Sequence, residues 1–294
     1  MTTTLTAPNG EIKFGPGLPT ALINDQLRII DQSPIIFEQL REGNLDGLLE
    51  LARWGQAMGT DLVDVLVFHP ELDELKLLPR IAARVKDEIG CPVSLDSRNP
   101  QALEAALEAF RPFKGMINSV TAENDSLAII LPIAKKYGAA LVGMPIGHLH
   151  GLSEKAAERL AEAKVIVEAC EGIGIPREDV VMDAICLAAA ASTRSFQVTM
   201  ETLHLFHEEL GVSTTLGIGN AGYGMPEPTV IDLAYLVGGI PIGLDSALVN
   251  PATRGLVETV RAMDFLAGND PSGWRYIQNY RNHKKAQNSN SVID

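Results

Sequence analysis

Residues 93–110 read VSLDSRNPQALEAALEAF and form one complete unit of strand, loop and helix. The apolar run at 93–95 predicts a buried strand, because short runs of this kind are typical of parallel sheets. Pro100 after Asn99 predicts a helix that continues to Phe110, with Asn99 as its N-cap. Asp96 directly follows the strand and is not needed as a cap.

The same unit recurs along the chain, since short apolar runs alternate with longer amphipathic segments. The predicted strands are residues 27–30, 62–67, 93–95, 115–117, 140–144, 180–182, 215–218 and 243–244. The predicted helices include 35–58 before Gly59, 73–89 before Gly90, 100–110, and 153–172 with Ser153 as its N-cap. Eight units at a spacing of about 30 residues predict an α/β fold, a closed (β/α)8 TIM barrel, rather than an open doubly wound sheet.

The composition supports one large domain. The 294 residues are 46% hydrophobic and 21% charged, as in ordinary globular proteins. A barrel of this kind takes about 250 residues. We expect an N-terminal hairpin over 1–26 that plugs the barrel bottom, the barrel over 27–282, and a frayed polar tail over 283–294.

Charge and cysteine content exclude several classes of partner. The formal net charge of −13 disfavours nucleic acid and anionic lipid, and no Lys/Arg-rich stretch makes a local exception. The three cysteines, Cys91, Cys170 and Cys186, are widely separated and predict neither a disulfide framework nor a redox pair. Neither a secretory signal nor a membrane-spanning run is recognisable. We therefore expect a cytoplasmic protein that does not insert into membranes.

Polar side chains recur at the predicted ends of the strands. They are Asp64 within strand two, followed by Asp96, Asn118, Asp183, Asn220 and Asp245 after strands three, four, six, seven and eight. Any one of them alone is better explained as a turn residue or helix cap, but active sites of such barrels lie at this end of the strands. Carboxylates and amides without Lys or Arg suit a neutral ligand with several hydrogen-bonding edges, such as a pterin.

Several segments resemble pterin-binding methyltransferases that serve corrinoid proteins. They are PVSLDSRNPQALEAAL, MINSVTAENDSLAIILPIAKKYGAALVGM, GIPREDVVMDAICL and TTLGIGNAGYGMPEP. The opening KFGPGLPTALIND is similar to the H subunit of tetrahydromethanopterin S-methyltransferase and its tetrahydrofolate-using relatives. The resemblance implies a dihydropteroate-synthase-like barrel that moves a methyl group between tetrahydrofolate, or a related tetrahydropterin, and the cobalt of a corrinoid protein. It also implies a homodimer and a role in one-carbon metabolism or demethylation. We expect no bound metal.

The resemblance also assigns roles to residues. It implies that Asp96, Asn118 and Asp183 hydrogen-bond the pterin, and that Asn220 is catalytic beside the nitrogen that carries the methyl group. We expect Asp64 to be a further pterin contact, and Asp245 is an additional candidate.

Two family features are altered. Leu66 stands where the family's Asp-x-Asn motif has its asparagine, and RIIDQSP replaces the polar GERIN segment at the first strand. Asp31 or Gln32 is therefore either a substitute for that segment or a turn residue.

Other motifs are weaker. GIGNAG at 217–222 matches a dinucleotide fingerprint but does not open a βαβ unit. Five histidines lack the spacing of metal ligands: His69, His148, His150, His204 and His207. A Schiff-base aldolase needs a lysine in the barrel mouth, whereas the lysines considered fall before a strand or on helices: Lys114, Lys135, Lys136 and Lys164.

Two alternatives of function stay open. A dihydropteroate synthase would need a basic Ser-x-Arg near the last strand, and Arg254, the candidate there, has the wrong spacing. A non-catalytic pterin-binding subunit is the other alternative, because a fold does not fix a function. Retention of Asn220 favours catalysis, since pterin binding alone needs only the edge contacts.

Overall fold

A computed structural model describes residues 1–290. The strands are β1 (Thr3–Ala7), β2 (Gly10–Phe14), β3 (Ala21–Arg28), β4 (Leu62–Leu66), β5 (Val93–Asp96), β6 (Met116–Thr121), β7 (Ala140–Met144), β8 (Val180–Asp183), β9 (Ser213–Gly217) and β10 (Ser246–Val249). The α-helices are α1 (Pro34–Arg41), α2 (Asp46–Met58), α3 (Glu74–Arg84), α4 (Pro100–Phe110), α5 (Asn124–Tyr137), α6 (Ala156–Gly172), α7 (Ser195–Leu205), α8 (Pro228–Gly239), α9 (Leu256–Ala267) and α10 (Trp274–Asn290).

Strands β3 to β10 form a closed barrel in sequence order, in which β10 pairs in parallel with both β3 and β9. The strands are covered on the outside by helices, which explains why they read as apolar runs in the sequence. The predicted (β/α)8 barrel is confirmed. All eight strands point the same way, so the residues that follow them gather at one mouth.

The hairpin of β1 and β2 closes the opposite end. Its strands pair antiparallel from Thr3 with Phe14 to Ala7 with Gly10. Leu5 and Phe14 are fully buried and pack in the barrel interior with residues of five strands: Ala21, Ile23, Leu62, Met116, Ala140, Val142 and Val181. The predicted N-terminal hairpin is confirmed, and its apolar side chains complete the interior core.

A buried ion network fastens the chain at the same end. The guanidinium of Arg261 lies 3.1 Å from Asp61 and 3.5 Å from Asp264, and all three side chains are almost fully buried. Arg275 of α10 makes a second ion pair with Asp61. Asp264 also accepts hydrogen bonds from the backbone N–H and the hydroxyl of Thr20, just before β3. The last two helices are thus tied to the start of the barrel.

Two strand predictions were wrong. The first barrel strand is Ala21–Arg28 rather than 27–30, so its polar segment Asn24–Gln26 lies inside a strand. Its register with β4 shifts between Asn24 and Leu27, which breaks the regular alternation expected of a strand. The last strand is Ser246–Val249 rather than 243–244, because Ile240–Ile242 closes α8 with a 3-10 turn and Gly243 has a φ of 119°.

Two helix predictions also need correction. Residues 35–58 form two helices, α1 and α2, separated by a turn in which Gly43 has a φ of 78°. Ser153 does not cap α6, which begins at Ala156. Its hydroxyl instead accepts the N–H of Lys155 and donates to Glu158. The helix at 100–110 and its Asn99 cap are as predicted, with the Asn99 side chain accepting N–H groups of the first turn.

Helix α10 continues to Asn290 and includes most of the segment predicted as a frayed tail, while 291–294 lie outside the described residues. Within residues 1–290, no helix is long and apolar enough to cross a membrane.

Candidate active site at the carboxyl end of the barrel

A cavity of about 750 Å³ opens at the carboxyl end of the strands. This is an ordinary size for a small-molecule site. The residues that line it come from seven of the eight strands or the segments after them: Asp25, Gln26, Arg28, Asp31, Gln32, Ser33, Ile36, Leu51, Asp96, Asn118, Met144, Asp183, Gly217, Gly219, Asn220, Tyr223 and Leu248. The structure therefore brings Asp96, Asn118, Asp183 and Asn220 together, as the sequence predicts.

Asp96 and Asn118 are neighbours on adjacent strands. They are direct partners in the parallel register of β5 and β6, so their side chains stand at the same level of the barrel. Asp183 ends β8, where it pairs in register with Thr215 of β9. The cavity thus has acceptor groups on two of its walls, separated by β7.

Asp64 lies beneath this layer rather than on the cavity wall. Its side chain is 1% exposed, and its Oδ1 accepts a hydrogen bond of 3.1 Å from Nδ2 of Asn118. Burial, reinforced by the charge of Asp96, raises the pKa of Asp64 to about 7. Within residues 1–290, no hydrogen bond reaches the amide oxygen of Asn118, so that oxygen can accept one from a ligand. Asp64 therefore orients Asn118, and a ligand in the cavity would meet Asn118 first.

Burial also raises the pKa of Asp96 and of Asp183, in each case to about 6. At Asp96 the charges of Arg28 and Arg98 oppose the shift, and at Asp183 the N–H of Ile185 and the charge of Arg159 oppose it. A carboxylate that is desolvated without a full set of donors is poised to accept hydrogen bonds from a ligand.

The loop after β8 is held by a buried arginine that sequence analysis missed. Arg159 of α6 is fully buried, and its Nη1 donates to the carbonyls of Ala184 and Ile185 at 2.7 and 2.9 Å. Ile185 has a φ of 58°, which is rare for a β-branched residue, and its N–H donates to Oδ1 of Asp183 at 2.8 Å. The sequence signal was faint, namely a single arginine on the buried side of a helix. Arg159 and Ile185 together fix the position of Asp183.

Asn220 stands on a short turn, Ile218–Asn220, directly after β9, and its side chain is exposed at the mouth. A Cβ at Gly217 would lie only 3.0 Å from Nδ2 of Asn220, so the amide rests against the glycine. The next helix, α8, begins only at Pro228, and a Cβ on Gly222 would collide with the backbone of that proline. These glycines serve close packing, and the GIGNAG segment does not build a dinucleotide turn.

Asp25 is the main site residue that sequence analysis missed, because the first strand was placed six residues too late. Its Oδ1 accepts a hydrogen bond of 2.8 Å from Gln26, and burial raises its pKa. Asp31 forms an ion pair of 3.1 Å with Arg28, the cation that lines the cavity. Gln32 donates to the carbonyls of Gln26 and Arg28 and so holds the end of β3.

Asp245 does not belong to this site, which corrects the sequence prediction. It precedes β10 instead of following it and therefore lies at the hairpin end of the barrel. Its Oδ2 accepts the N–H of Thr214 at 2.9 Å, and its carbonyl accepts the N–H of Ala21, the first residue of β3. Burial raises its pKa to about 7, so a raised pKa alone does not mark the ligand site.

The weaker motifs do not join the cavity. Leu66 and Arg254 are absent from its lining. The four lysines considered for a Schiff base are engaged elsewhere, with Asp179 (Lys114), the Ile173 carbonyl (Lys135), Glu104 (Lys136) and Glu209 (Lys164). His69 packs against Phe37, and His150 contacts the buried Glu162. Across residues 1–290, His, Cys, Asp and Glu side chains form no group of three that could hold a metal ion.

A closed barrel with an acceptor-lined cavity at the carboxyl ends of its strands defines the class, an enzyme-type barrel for a small polar ligand. Residues 34–231 match the family of pterin binding enzymes, and the chain belongs to that family. The family predicted from the sequence motifs is confirmed.

Relatives of known activity agree with this membership. The chain is 22% identical over 256 residues to the methylcorrinoid:tetrahydrofolate methyltransferase of Eubacterium limosum, covering 85% of this chain and 93% of that protein. It is 25% identical over 215 residues to methionine synthase of Mycobacterium tuberculosis, covering 69% of this chain but only 18% of that protein. The predicted enzyme class, a methyltransferase, is confirmed by these matches.

The fold also matches solved structures. Dihydropteroate synthase from Vibrio fischeri superposes with a TM-score of 0.67 at 16% identity, covering 90% of this chain and 98% of that chain. The Yersinia pestis enzyme with a pterine-sulfa conjugate gives a TM-score of 0.66 at 15% identity, covering 90% and 99%. At this level of identity the likeness shows the fold.

Proposed function

We propose that this enzyme transfers a methyl group between a tetrahydropterin, with tetrahydrofolate as the first candidate, and the cobalt of a corrinoid carried by a partner protein. The observation that carries the proposal is the convergence of Asp96, Asn118, Asp183 and Asn220 on one cavity. The sequence relationship to a methylcorrinoid:tetrahydrofolate methyltransferase over most of both chains supports the same reaction.

The acceptor groups suit the pyrimidine edge of a pterin. That edge presents adjacent N–H donors, and a carboxylate offers two parallel acceptors to them. Each hydrogen bond to a charged group contributes about 1.5 to 3 kcal/mol. Asp183 and Asp96 are desolvated and accept few hydrogen bonds from the protein. The N–H groups of a pterin would replace the hydrogen bonds from water that burial has removed. Asn118, oriented by Asp64, adds an amide between them.

Asn220 is assigned to the reacting nitrogen. A methyl group on a tertiary amine leaves only when that nitrogen is protonated, so transfer from the pterin requires the protonated form. An amide cannot give up a proton, but its oxygen can accept a hydrogen bond from the N–H that forms. This contact is stronger in the transition state than in the ground state and therefore lowers the activation free energy of methyl transfer.

The open mouth suits a second, large substrate. Asn220 is exposed there, which leaves the reacting end of a bound pterin accessible to a corrinoid presented by another protein. The same residues serve both directions of transfer by microscopic reversibility. A homodimer and a role in one-carbon metabolism or in demethylation of methylated substrates remain predictions from the family resemblance.

The test is a comparison of two reactions with the purified protein. We expect it to bind methyltetrahydrofolate and to transfer the methyl group to free cob(I)alamin. The transfer is measured by the change in corrinoid absorbance. We expect no dihydropteroate from p-aminobenzoate and pterin diphosphate. Formation of dihydropteroate would favour the synthase alternative. Pterin binding without methyl transfer to free or protein-held corrinoid would favour a non-catalytic subunit.

A further inference from the structure

We propose that the Asp25 carboxyl is the proton carrier for the reacting pterin nitrogen. The proposal rests on the function proposed above and adds a catalytic residue to it. Without such a group, solvent would have to exchange the proton at this nitrogen. The cavity instead places an acid on the same side as Asn220.

The barrel topology brings the two residues to one wall. Gly217 of β9, Leu248 of β10 and Ile23 of β3 are partners in register, so Asp25 and Asn220 both lie just above this level. The turn after β9 also leans toward β3. A methyl group on Gly219, the residue before Asn220, would stand 4.0 Å from Oδ2 of Asp25. The carboxyl and the amide thus face the same part of the cavity.

The carboxyl is held in place but keeps one free oxygen. Gln26 donates to Oδ1 only, and within residues 1–290 no hydrogen bond reaches Oδ2. The backbone around it is fixed, because Asn24 accepts the N–H of Gln26 and Gln32 donates to the carbonyl of Gln26. Oδ2 is therefore the oxygen available to exchange a proton with a ligand.

The charges that face Asp25 are mostly acidic. Arg28 and Asp31 follow it on the same segment, Asp64 lies on β4, and Asp232 lies on α8. Burial raises the pKa of Asp25 most, Asp31 raises it further, and Gln26 and Arg28 oppose both effects. A carboxyl with a raised pKa holds a proton closer to neutral pH than an ordinary aspartate does, which suits an acid–base group.

The proton and electrons balance in both directions. When tetrahydropterin attacks the methylcorrinoid, the nitrogen lone pair forms the N–C bond and the C–Co bond breaks with both electrons left on cobalt. The proton of the nitrogen then passes to the Asp25 carboxylate. In the reverse direction, the Asp25 carboxylic acid protonates the methylated nitrogen, and the methyl group leaves for Co(I), which provides the electron pair. Asn220 accepts a hydrogen bond from the N–H in either case.

The test is single-turnover methyl transfer against pH, in both directions, with saturating pterin and free cobalamin. For the wild type, the rate of transfer to tetrahydrofolate should rise with pH through the pKa of Asp25, and the rate from methyltetrahydrofolate should fall. Asp25→Asn should remove this pH-dependent part, or limb, from both profiles. It should also lower the rate by about 10²-fold or more. Its dissociation constant for methyltetrahydrofolate should change by less than about fivefold, since it keeps the pyrimidine contacts.

Two further variants give matched comparisons. Asp25→Glu keeps an acid and should retain a pH-dependent limb. Asp31→Asn removes a neighbouring negative charge and frees Arg28, both of which lower the pKa of Asp25, so its limb should move to lower pH without disappearing. Added acetate should partly restore the rate of Asp25→Asn, as expected for a missing proton carrier.

The outcomes separate the two proposals. A wild-type enzyme that moves no methyl group contradicts the proposed function. An active wild type whose Asp25→Asn variant keeps its rate and its pH limb assigns the proton to solvent and overturns only this inference. Loss of pterin binding in folded Asp25→Asn would make Asp25 a binding residue and would overturn it as well. If that variant does not fold, Asp25→Ser takes its place in the same assay.

Discussion

The two ends of the barrel use buried aspartates in opposite ways. At the hairpin end, Asp61 is surrounded by Arg261 and Arg275, and these cations lower its pKa although the side chain is almost fully buried. At the mouth, Asp96 and Asp183 are also desolvated, but burial outweighs their weaker partners and raises each pKa to about 6. Partnership rather than burial separates a structural carboxylate from one that is kept for a ligand.

Asp245 sharpens this comparison. It lies at the hairpin end with a pKa raised to about 7, yet its Oδ2 accepts the N–H of Thr214 and its carbonyl accepts the N–H that begins β3. A search for perturbed pKa values alone would group it with Asp96. Its hydrogen bonds and its place before β10 assign it to the fold.

The largest effect is expected at the hairpin end. Asp61→Ala leaves Arg261 buried with one partner fewer, and breaking such a pair costs about 3 to 5 kcal/mol of unfolding free energy. Urea denaturation measures the loss, and pterin affinity of the folded variant should stay unchanged. As a control, Glu11→Ala removes an exposed ion pair with Lys13 and should leave the urea midpoint unchanged. Equal midpoints for both variants would contradict the structural role of Asp61.

At the mouth, Asn220→Ala should affect chemistry more than binding. Loss of one preorganised polar group should slow methyl transfer by about 10²-fold, or about 2.7 kcal/mol. Binding should survive in part, because the pyrimidine contacts remain. In the direction from methyltetrahydrofolate, loss of the acceptor lowers the apparent pKa of the ternary complex, so the variant should need more acid to reach its maximal rate. A full rate with an unshifted profile would make Asn220 a turn residue.

The pyrimidine contacts should show the reverse pattern. Asp183→Ala and Asp96→Ala should each weaken methyltetrahydrofolate binding by about 1.5 to 3 kcal/mol without unfolding the barrel. Calorimetric titration decides this. Asp183→Asn serves as the control for the loop, since it keeps an acceptor for the N–H of Ile185 but loses the charge. Unchanged affinity in both alanine variants would contradict the assignment of this cavity as the pterin site.

The smallest effect should appear as a pH dependence of binding. Below about pH 6, Asp96 and Asp183 are increasingly protonated in the free enzyme and lose acceptor capacity. N–H donors of the ligand favour the ionised forms, so affinity should fall as pH falls through 6, by about tenfold between pH 7 and 5 for each of the two carboxylates. Binding at pH 6 should release protons, which calorimetry in buffers of different ionisation enthalpy detects. Proton uptake on binding would contradict this arrangement.

Much of the site followed from sequence because parallel strands align their ends. Asp96, Asn118 and Asp183 directly follow or end clear apolar runs, so a barrel necessarily gathers them. The prediction for Asp245 was wrong because apolar runs stand on both sides of it. Composition did not indicate that 240–242 would form a 3-10 turn while Ser246–Val249 formed the strand.

Sequence analysis missed Asp25 and Arg159 for different physical reasons. The polar segment around Asp25 looks like a loop, and only tertiary hydrogen bonds, such as that of Asn24 to the Leu51 carbonyl, hold it inside a strand. Arg159 is charged yet fully buried, and the carbonyls that receive its hydrogen bonds lie about 25 residues further along the chain. Hydrophobic periodicity reports burial of apolar groups and carries no signal for either contact.

The hairpin has a consequence for the order of assembly. It is synthesised before any barrel strand, yet the interior space that receives Leu5 and Phe14 is bounded by strands as distant as β8. Until those strands are in place, the side chains of Leu5 and Phe14 have no interior space to enter, and the hairpin cannot close its end of the barrel. The hairpin, although made before every barrel strand, must therefore be among the last segments to reach its final position, and a growing chain carries it unburied in the meantime.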